Sequence, residues 1–269
     1  MKKMMLLLVT VMSMLTVSAQ DSKMTVNVEA GGLARALGVN RSYITELVVV
    51  GHINGDDIAT LRSMMSGQGR LEKLNLAEAV IVNGGGSYLG GRTQTLYTHR
   101  NDIGARMFSG CTSLKVIVLP NKARTISYDA FSNCPNLEAF IIEDSQRFCS
   151  VDGILFSKDV KNLIRCPEGI PVDEIEVLEG TEQIYTGAFH NIRSLRKVIL
   201  PSTCKGVSNM SFTGCPLHLI VMKGEKAPAM EHAFDAAVVQ NATLSIPYGA
   251  RMAYTSANFW RDFRNIVER

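Results

Sequence analysis

Apolar residues recur along the middle of the chain in one arrangement. An Ile or Val precedes a Phe by five positions, and a Leu follows that Phe by six. Three segments carry it fully: Ile103 to Phe108 to Leu114, Ile126 to Phe131 to Leu137, and Ile184 to Phe189 to Leu195. A fourth runs from Val207 through Phe212, with Leu217 one position early. The spacing from Phe108 to Phe131 is 23 residues, and it is 23 again from Phe189 to Phe212. From Phe131 to Phe189 it is 58, one period plus a 35-residue excess.

Each Leu opens a strand-like run: Leu114–Pro120, Leu137–Glu143, Leu195–Pro201 and Leu217–Lys223. β-Branched residues are frequent in them, and Pro closes two, where a hydrogen-bonded ladder can end. Each unit therefore reads as strand, turn, short irregular return and Phe-containing corner. A unit this short cannot bury its apolar face alone. Stacking on its neighbours is required, and the product is a solenoid with a continuous parallel sheet.

These residues resemble the BspA-like leucine-rich-repeat family, in the pattern Ile-x-x-x-Ala-Phe-x-x-Cys-x-x-Leu-x-x-Ile-x-Leu-Pro. The pattern is cleanest from Ile126 to Leu137 and at Leu119-Pro120 and Leu200-Pro201. Ile192 departs from the Cys position, and Met107 and Ser211 from the Ala before Phe. Residues 150–167 look like a hairpin insertion common in that family and account for about half of the excess. The resemblance implies a β-rich α/β fold, a right-handed leucine-rich-repeat solenoid with helical terminal caps.

The division that follows is a signal peptide at 1–19, an N-terminal cap with degenerate repeats and a Gly-rich loop at 20–100, the solenoid at 101–225 with its hairpin near 147–167, and a C-terminal strand and helical cap at 226–269. Lys2 and Lys3, the apolar run from Met4 to Leu15, and the small residues Val17 and Ala19 make a secretory signal, cut near Ala19-Gln20. In the cap, residues 28–37 suggest a short helix, and Ile44–Val50 and Leu71–Leu76 degenerate strands. Residues 56–65 form a capped amphipathic helix with Ile58, Leu61 and Met65 on one side. Gly84-Gly85-Gly86 and Gly90-Gly91 mark a flexible loop over 83–100. At the far end Leu244–Pro247 is a last strand, and residues 249–263 a helical closure with the only Trp, Trp260.

Composition narrows the chemistry. Hydrophobic residues at 46% and charged ones at 20% fit a folded domain, and no segment after the signal is apolar enough to span a membrane. With 28 Lys+Arg against 25 Asp+Glu, the net charge of +3 gives no reason to expect nucleic acid or an anionic membrane as partner. Cys111, Cys134 and Cys215 share one repeat position, which predicts buried free thiols pointing into the stack. Cys149, Cys166 and Cys204 lie outside that register; a disulfide between Cys149 and Cys166 stays open. There is no Cys-x-x-Cys, the five His are scattered, and no nucleophile or phosphate-loop motif occurs. No cofactor, metal or catalytic residue is expected, and the chain reads as a non-enzyme.

The strand face is the informative feature. The resemblance implies that the first Leu, the central residue and the last Leu of each strand point inward. That assigns Leu114, Ile117 and Leu119, then Leu137, Phe140 and Ile142, then Leu195, Val198 and Leu200; alternation sends the residues between them to the other face. One outer column then reads Val48, Asn75, Val118, Ile141, Ile199, Val221, and its neighbour Glu46, Lys73, Val116, Ala139, Lys197, Leu219. An apolar exposed sheet flanked by charge is either a contact surface or the β-propensity any sheet face needs. The expected partner site is Val116, Val118, Ile141, Lys197, Ile199 and Val221. The family resemblance implies a secreted or cell-surface protein that binds host or bacterial surface proteins. Glycan capture is the alternative, weakened because the outer columns hold no aromatic. A hydrolase ranks last for want of any constellation.

Overall fold

The structure is a computed structural model that describes residues 22–90 and 95–269. The expected signal peptide, residues 1–19, lies outside the described residues, as do residues 91–94 of the Gly-rich segment.

The chain opens with β1 (Lys23–Val28), α1 (Leu33–Leu37), β2 (Glu46–Ile53), α2 (Gly55–Met65), β3 (Lys73–Asn75) and β4 (Ala79–Ile81). β1, β2 and β3 pair in parallel. β1 is a strand that the predicted 28–37 helix left unread. Its residues alternate, Val26 and Val28 facing the core, and Gly31 at φ +84° turns the chain into a helix of only five residues. α2 forms because its start is fully capped. Asn54 accepts from Asp56 N at 3.0 Å, and the Asp57 carboxylate accepts from Asn54 N at 2.9 Å. Ile58, Leu61 and Met65 are buried as the periodicity requires.

The Gly84–Gly86 run is an exposed loop held at two points. It lies on the start of α2, where Gly55 N donates to Gly84 O at 3.1 Å and Gly86 N to Asp56 Oδ1 at 3.0 Å. A Cβ on Gly55 would fall 1.9 Å from Gly86 O, so glycine is needed for the approach.

The repeats follow as β5 (Asp102–Ile103), β6 (Val116–Val118), β7 (Thr125–Ile126), β8 (Ala139–Ile141), β9 (Phe148–Val151), β10 (Ile154–Ser157), β11 (Asn162–Arg165), β12 (Glu174–Glu176), β13 (Gln183–Ile184), β14 (Lys197–Leu200), β15 (Gly206–Val207), β16 (Leu219–Met222) and β17 (Ala229–Met230). The chain ends with α3 (Ala236–Asn241), β18 (Thr243–Ile246), α4 (Arg251–Thr255), a 3-10 turn at Trp260–Asp262, and β19 (Asn265–Glu268). Leu244–Pro247 is thus followed by one more strand. β19 pairs in parallel with β18, half-exposed along its length, which leaves it little apolar signal.

The expected continuous sheet is two sheets. On the strand side, β1-β2-β3-β6-β8 form one parallel array and β12-β14-β16-β18-β19 another. The returns carry short ladders of their own, β5-β7 and β9-β10-β11-β13-β15-β17. Hairpin β9–β10 separates the arrays. Gly153 O accepts from Phe140 N at 2.9 Å and Ser150 Oγ from Ile142 N at 3.0 Å, so the edge of β8 is occupied by the hairpin and not by β12. Phe148 and Leu155 join the core of the first array, Ile154 and Phe156 that of the second. The hairpin is a wedge, buried on both faces.

The corners explain the sequence pattern. Phe108 stacks on Phe131 with ring centroids 5.4 Å apart, and Phe189 on Phe212 at 4.7 Å. Phe212 continues onto Phe234 at 4.9 Å, which Trp260 and Phe263 close over. The position two after each Phe is left-handed: Gly110 at φ +74°, Asn133 at +60°, Asn191 at +63° and Gly214 at +79°. Gly, and less readily Asn, adopts that conformation at low cost, which is why these two residue types share the position. Cys134 Sγ donates to Phe108 O at 3.1 Å, and Cys215 Sγ to Phe189 O at 2.8 Å, so these two thiols each tie their corner to the one before it.

Candidate partner-binding surface

Parallel register places the outer residues of each array in rows. In the first array Thr25, Val48, Asn75, Val118 and Ile141 lie side by side, with Lys23, Glu46, Lys73, Val116 and Ala139 in the next row. In the second array the rows are Glu176, Ile199, Val221, Ser245 and Val267, and Glu174, Lys197, Leu219, Thr243 and Asn265.

The candidate residues fall into two groups. Ile141 is 38% exposed, and Val116, Lys197 and Ile199 are half-buried. Val118 at 9% and Val221 at 2% are buried, which corrects their expected exposure. Both sit in mid-array. Asn75 and Ile141 flank Val118 in register, and Ile199 and Ser245 flank Val221, which removes lateral exposure, although the same flanking leaves Val116 and Ile199 half-buried. Ile141 is open although the hairpin occupies the edge of β8 beside it. The inward set is as predicted, with Ile117, Phe140 and Val198 at 1% or less, except that Ile142 is only half-buried.

Charge on this face is paired. Glu46 bridges Lys23 at 2.8 Å and Lys73 at 3.0 Å across three strands. Two lysines beside it hold the Glu46 carboxyl below its ordinary range. Lys197, the cation expected beside the apolar column, pairs with Glu174 at 2.8 Å. Lys223 reaches past Ile199 to Glu176, two strands away. Glu174 and Glu176 were not read from the sequence, although the signal was there. Glu174 lies one 23-residue period before Lys197, in the same register.

The remaining chemistry is structural. All six cysteines are free, five of them buried and Cys149 half-buried. Cys149 Sγ donates to Ser157 O at 3.2 Å within the hairpin and is not paired with Cys166. Burial pushes the thiols up, to about 12 at Cys111 and Cys215 and about 11 at Cys134 and Cys204. Among the described residues no cluster of His, Cys, Asp or Glu could hold a metal ion, and no helix is long and apolar enough to cross a membrane. On the return side two tyrosines stand exposed, Tyr128 at 57% and Tyr185 at 43%. Tyr128 borders Gly187 of the next Phe-cornered repeat.

The model of the BspA-type leucine-rich-repeat region matches residues 92–163 and 166–254, with six copies. A leucine-rich cell-surface protein from Faecalibacterium prausnitzii A2-165 is similar at 14% identity and TM-score 0.43, over 91% of this chain and 78% of that one. A leucine-rich-repeat protein from Eubacterium ventriosum ATCC 27560 aligns at 13% identity and TM-score 0.41, over 86% and 75%. The pneumococcal vaccine antigen PcpA aligns at 13% identity and TM-score 0.36, over 92% and 79%. No curated protein sequence matches the chain.

Proposed function

Because the chain belongs to the BspA-type leucine-rich-repeat family, we propose that it is a non-enzymatic protein of the cell surface or its surroundings that binds another protein through its strand face. A repeat array of this kind presents a broad, regular surface suited to a macromolecular partner. The observation that carries the reading is Ile141. A large aliphatic side chain stands 38% exposed in mid-strand, while Phe140 beside it is 1% exposed. Ile199 holds the equivalent position in the second array, between Glu176 and Val221. Apolar side chains rimmed by paired Lys and Glu suit the centre and border of a protein interface. The test is a pull-down from cell-surface extracts with the mature protein and with an Ile141→Asp/Ile199→Asp variant. The variant should fold and should not retain the partner.

Glycan capture has one observation in its favour, the exposed Tyr128 and Tyr185 on the return side. Tyrosine rings offer flat apolar surface with a polar tip, as sugar recognition requires. Binding on a glycan array that is abolished by Tyr128→Ala/Tyr185→Ala, and unaffected by the strand-face changes, would favour this reading over the first.

A further inference from the structure

The chain contains two Asn-Gly pairs, Asn54-Gly55 and Asn83-Gly84, and the fold sets them against each other. Gly55 N donates to Gly84 O at 3.1 Å, so the two pairs are in direct contact while their environments are opposite. Asn54 is 7% exposed and its side-chain oxygen is held by Asp56 N at 3.0 Å. Its following N–H is the one bound to Gly84 O, and Gly55 has no room beside Gly86 O. Asn83 is exposed, and no hydrogen bond among the described residues engages its side chain or Gly84 N. Gly84, at φ +107°, meets nothing within 4 Å where a Cβ would be.

We propose that Asn83 is a site of spontaneous deamidation, and that Asn54 is protected from the same reaction by the fold. Gly84 N attacks Asn83 Cγ, the Cγ–Nδ2 bond breaks, and ammonia leaves with the amide proton. Water then opens the five-membered imide at either carbonyl, giving Asp or isoaspartate at position 83 with no change of oxidation state. The reaction needs a free amide nitrogen and an unconstrained side chain, which Asn83-Gly84 provides and Asn54-Gly55 does not. Isoaspartate lengthens the main chain by one carbon next to Gly84 O, which Gly55 N and Thr98 Oγ1 hold in place. It also adds a negative charge to a loop that already binds the Asp56 carboxylate through Gly86 N. Modification would therefore loosen the packing of residues 83–90 on the start of α2.

The test is ageing of the folded protein in mildly alkaline buffer at physiological temperature, followed by peptide mapping with fragmentation that separates Asp from isoaspartate. A parallel sample is aged in denaturant. In the folded protein Asn83 should convert at least about tenfold faster than Asn54, which can react only through local opening. In denaturant the two should convert at similar rates. Asn83→Gln should abolish the folded-state conversion without affecting Asn54. Equal conversion of both sites in the folded protein would overturn the proposal. So would an unreactive Asn83 under conditions in which the denatured chain converts.

Discussion

The Glu168 carboxylate lies 2.9 Å from Arg165 Nη2 with both side chains only 4% exposed, buried where the hairpin wedge meets the next repeat. Glu168 also accepts from Asn133 N at 3.0 Å and Cys134 N at 2.9 Å. For Asn133 N, in the last corner of the first array, it therefore supplies the acceptor that the next corner's carbonyl supplies elsewhere, as Ser132 O does for Gly110 N and Thr213 O for Asn191 N. Asp235 does the same at the end of the second array, accepting from Gly214 N at 2.8 Å. Arg165 in turn donates to Gly187 O, so the pair ties the first array to the second. Glu168→Ala should destabilise by about 3–5 kcal/mol, because it leaves a buried guanidinium without its counter-charge. Replacing the pair together, as Arg165→Met/Glu168→Leu, should still cost about 1–3 kcal/mol for each backbone donor left unpaired. Chemical denaturation reads both; a neutral double variant would mean that Glu168 serves only the ion pair.

The same pair makes a prediction about pH. Burial raises the Glu168 pKa above 4.5, the opposing effects of Arg165 and the two backbone donors being smaller. Burial likewise lowers Arg165. A carboxyl whose folded pKa is raised binds its proton more tightly in the folded state. Its contribution to stability is complete below the unfolded value and is lost as pH rises through the folded one. The stability of the wild type relative to Glu168→Gln should therefore increase as pH falls from neutrality towards 4.5. A relative stability that falls over this interval would show that ionised Glu168 is favoured by the fold.

Phe131 is 2% exposed, stacked on Phe108 at 5.4 Å and edge-on to Phe140 at 4.9 Å. Phe131→Ala should cost about 3–5 kcal/mol, as for a buried aromatic in a packed core. Lys122→Ala, at an exposed turn position, serves as control. Denaturant midpoints that do not separate the two variants would contradict the corner stacking.

How far the fold was legible depends on which residues repeat. The Phe corners and the Leu-to-Pro strands recur in register, so periodicity alone located them. The break in the sheet was not legible. It depends on Gly153 O meeting Phe140 N, a backbone contact with no residue signature. Glu168 was missed for a similar reason, since its role comes from the corner it replaces and not from a motif. In the candidate site, alternation gave the outward direction of Ile141 and Ile199 but not the cover over Val118 and Val221. Burial there does not follow from alternation or from strand register, since Val116 and Ile199 have neighbours one repeat away on either side and are half-buried. β1 and β19 belong to atypical terminal repeats, which share neither the Phe nor the spacing.

Thiol reactivity should follow burial. Cys149 is half-buried, whereas Cys111, Cys134, Cys166, Cys204 and Cys215 are buried, with pKa values raised by desolvation. The thiolate is the reactive form, so native protein near neutral pH should label first and almost solely at Cys149. The other five should label only after unfolding. Rapid native labelling of Cys134 or Cys215 would be incompatible with thiols tying the corners together, and of Cys111 with its burial.

The two arrays allow the proposed binding face to be dissected. Ile141 closes the first array beside the wedge, and Ile199 lies in the second between Glu176 and Val221. A partner that spans the wedge must contact both; one that uses a single array need not. Ile141→Asp and Ile199→Asp each place on the outer face a charge that would be desolvated on contact. Neither side chain belongs to the buried cores, so both variants should fold with stabilities close to wild type. For a spanning partner each single change should weaken binding, by on the order of tenfold or more if the residue is a hot spot, and the double change should abolish it. Binding measured for the two single variants therefore reports which array is used. An effect confined to one of them would restrict the interface to that array. Full affinity in the double variant, with folding verified by its melting transition, would remove the strand face as the site and leave the Tyr128 and Tyr185 side to be tested next.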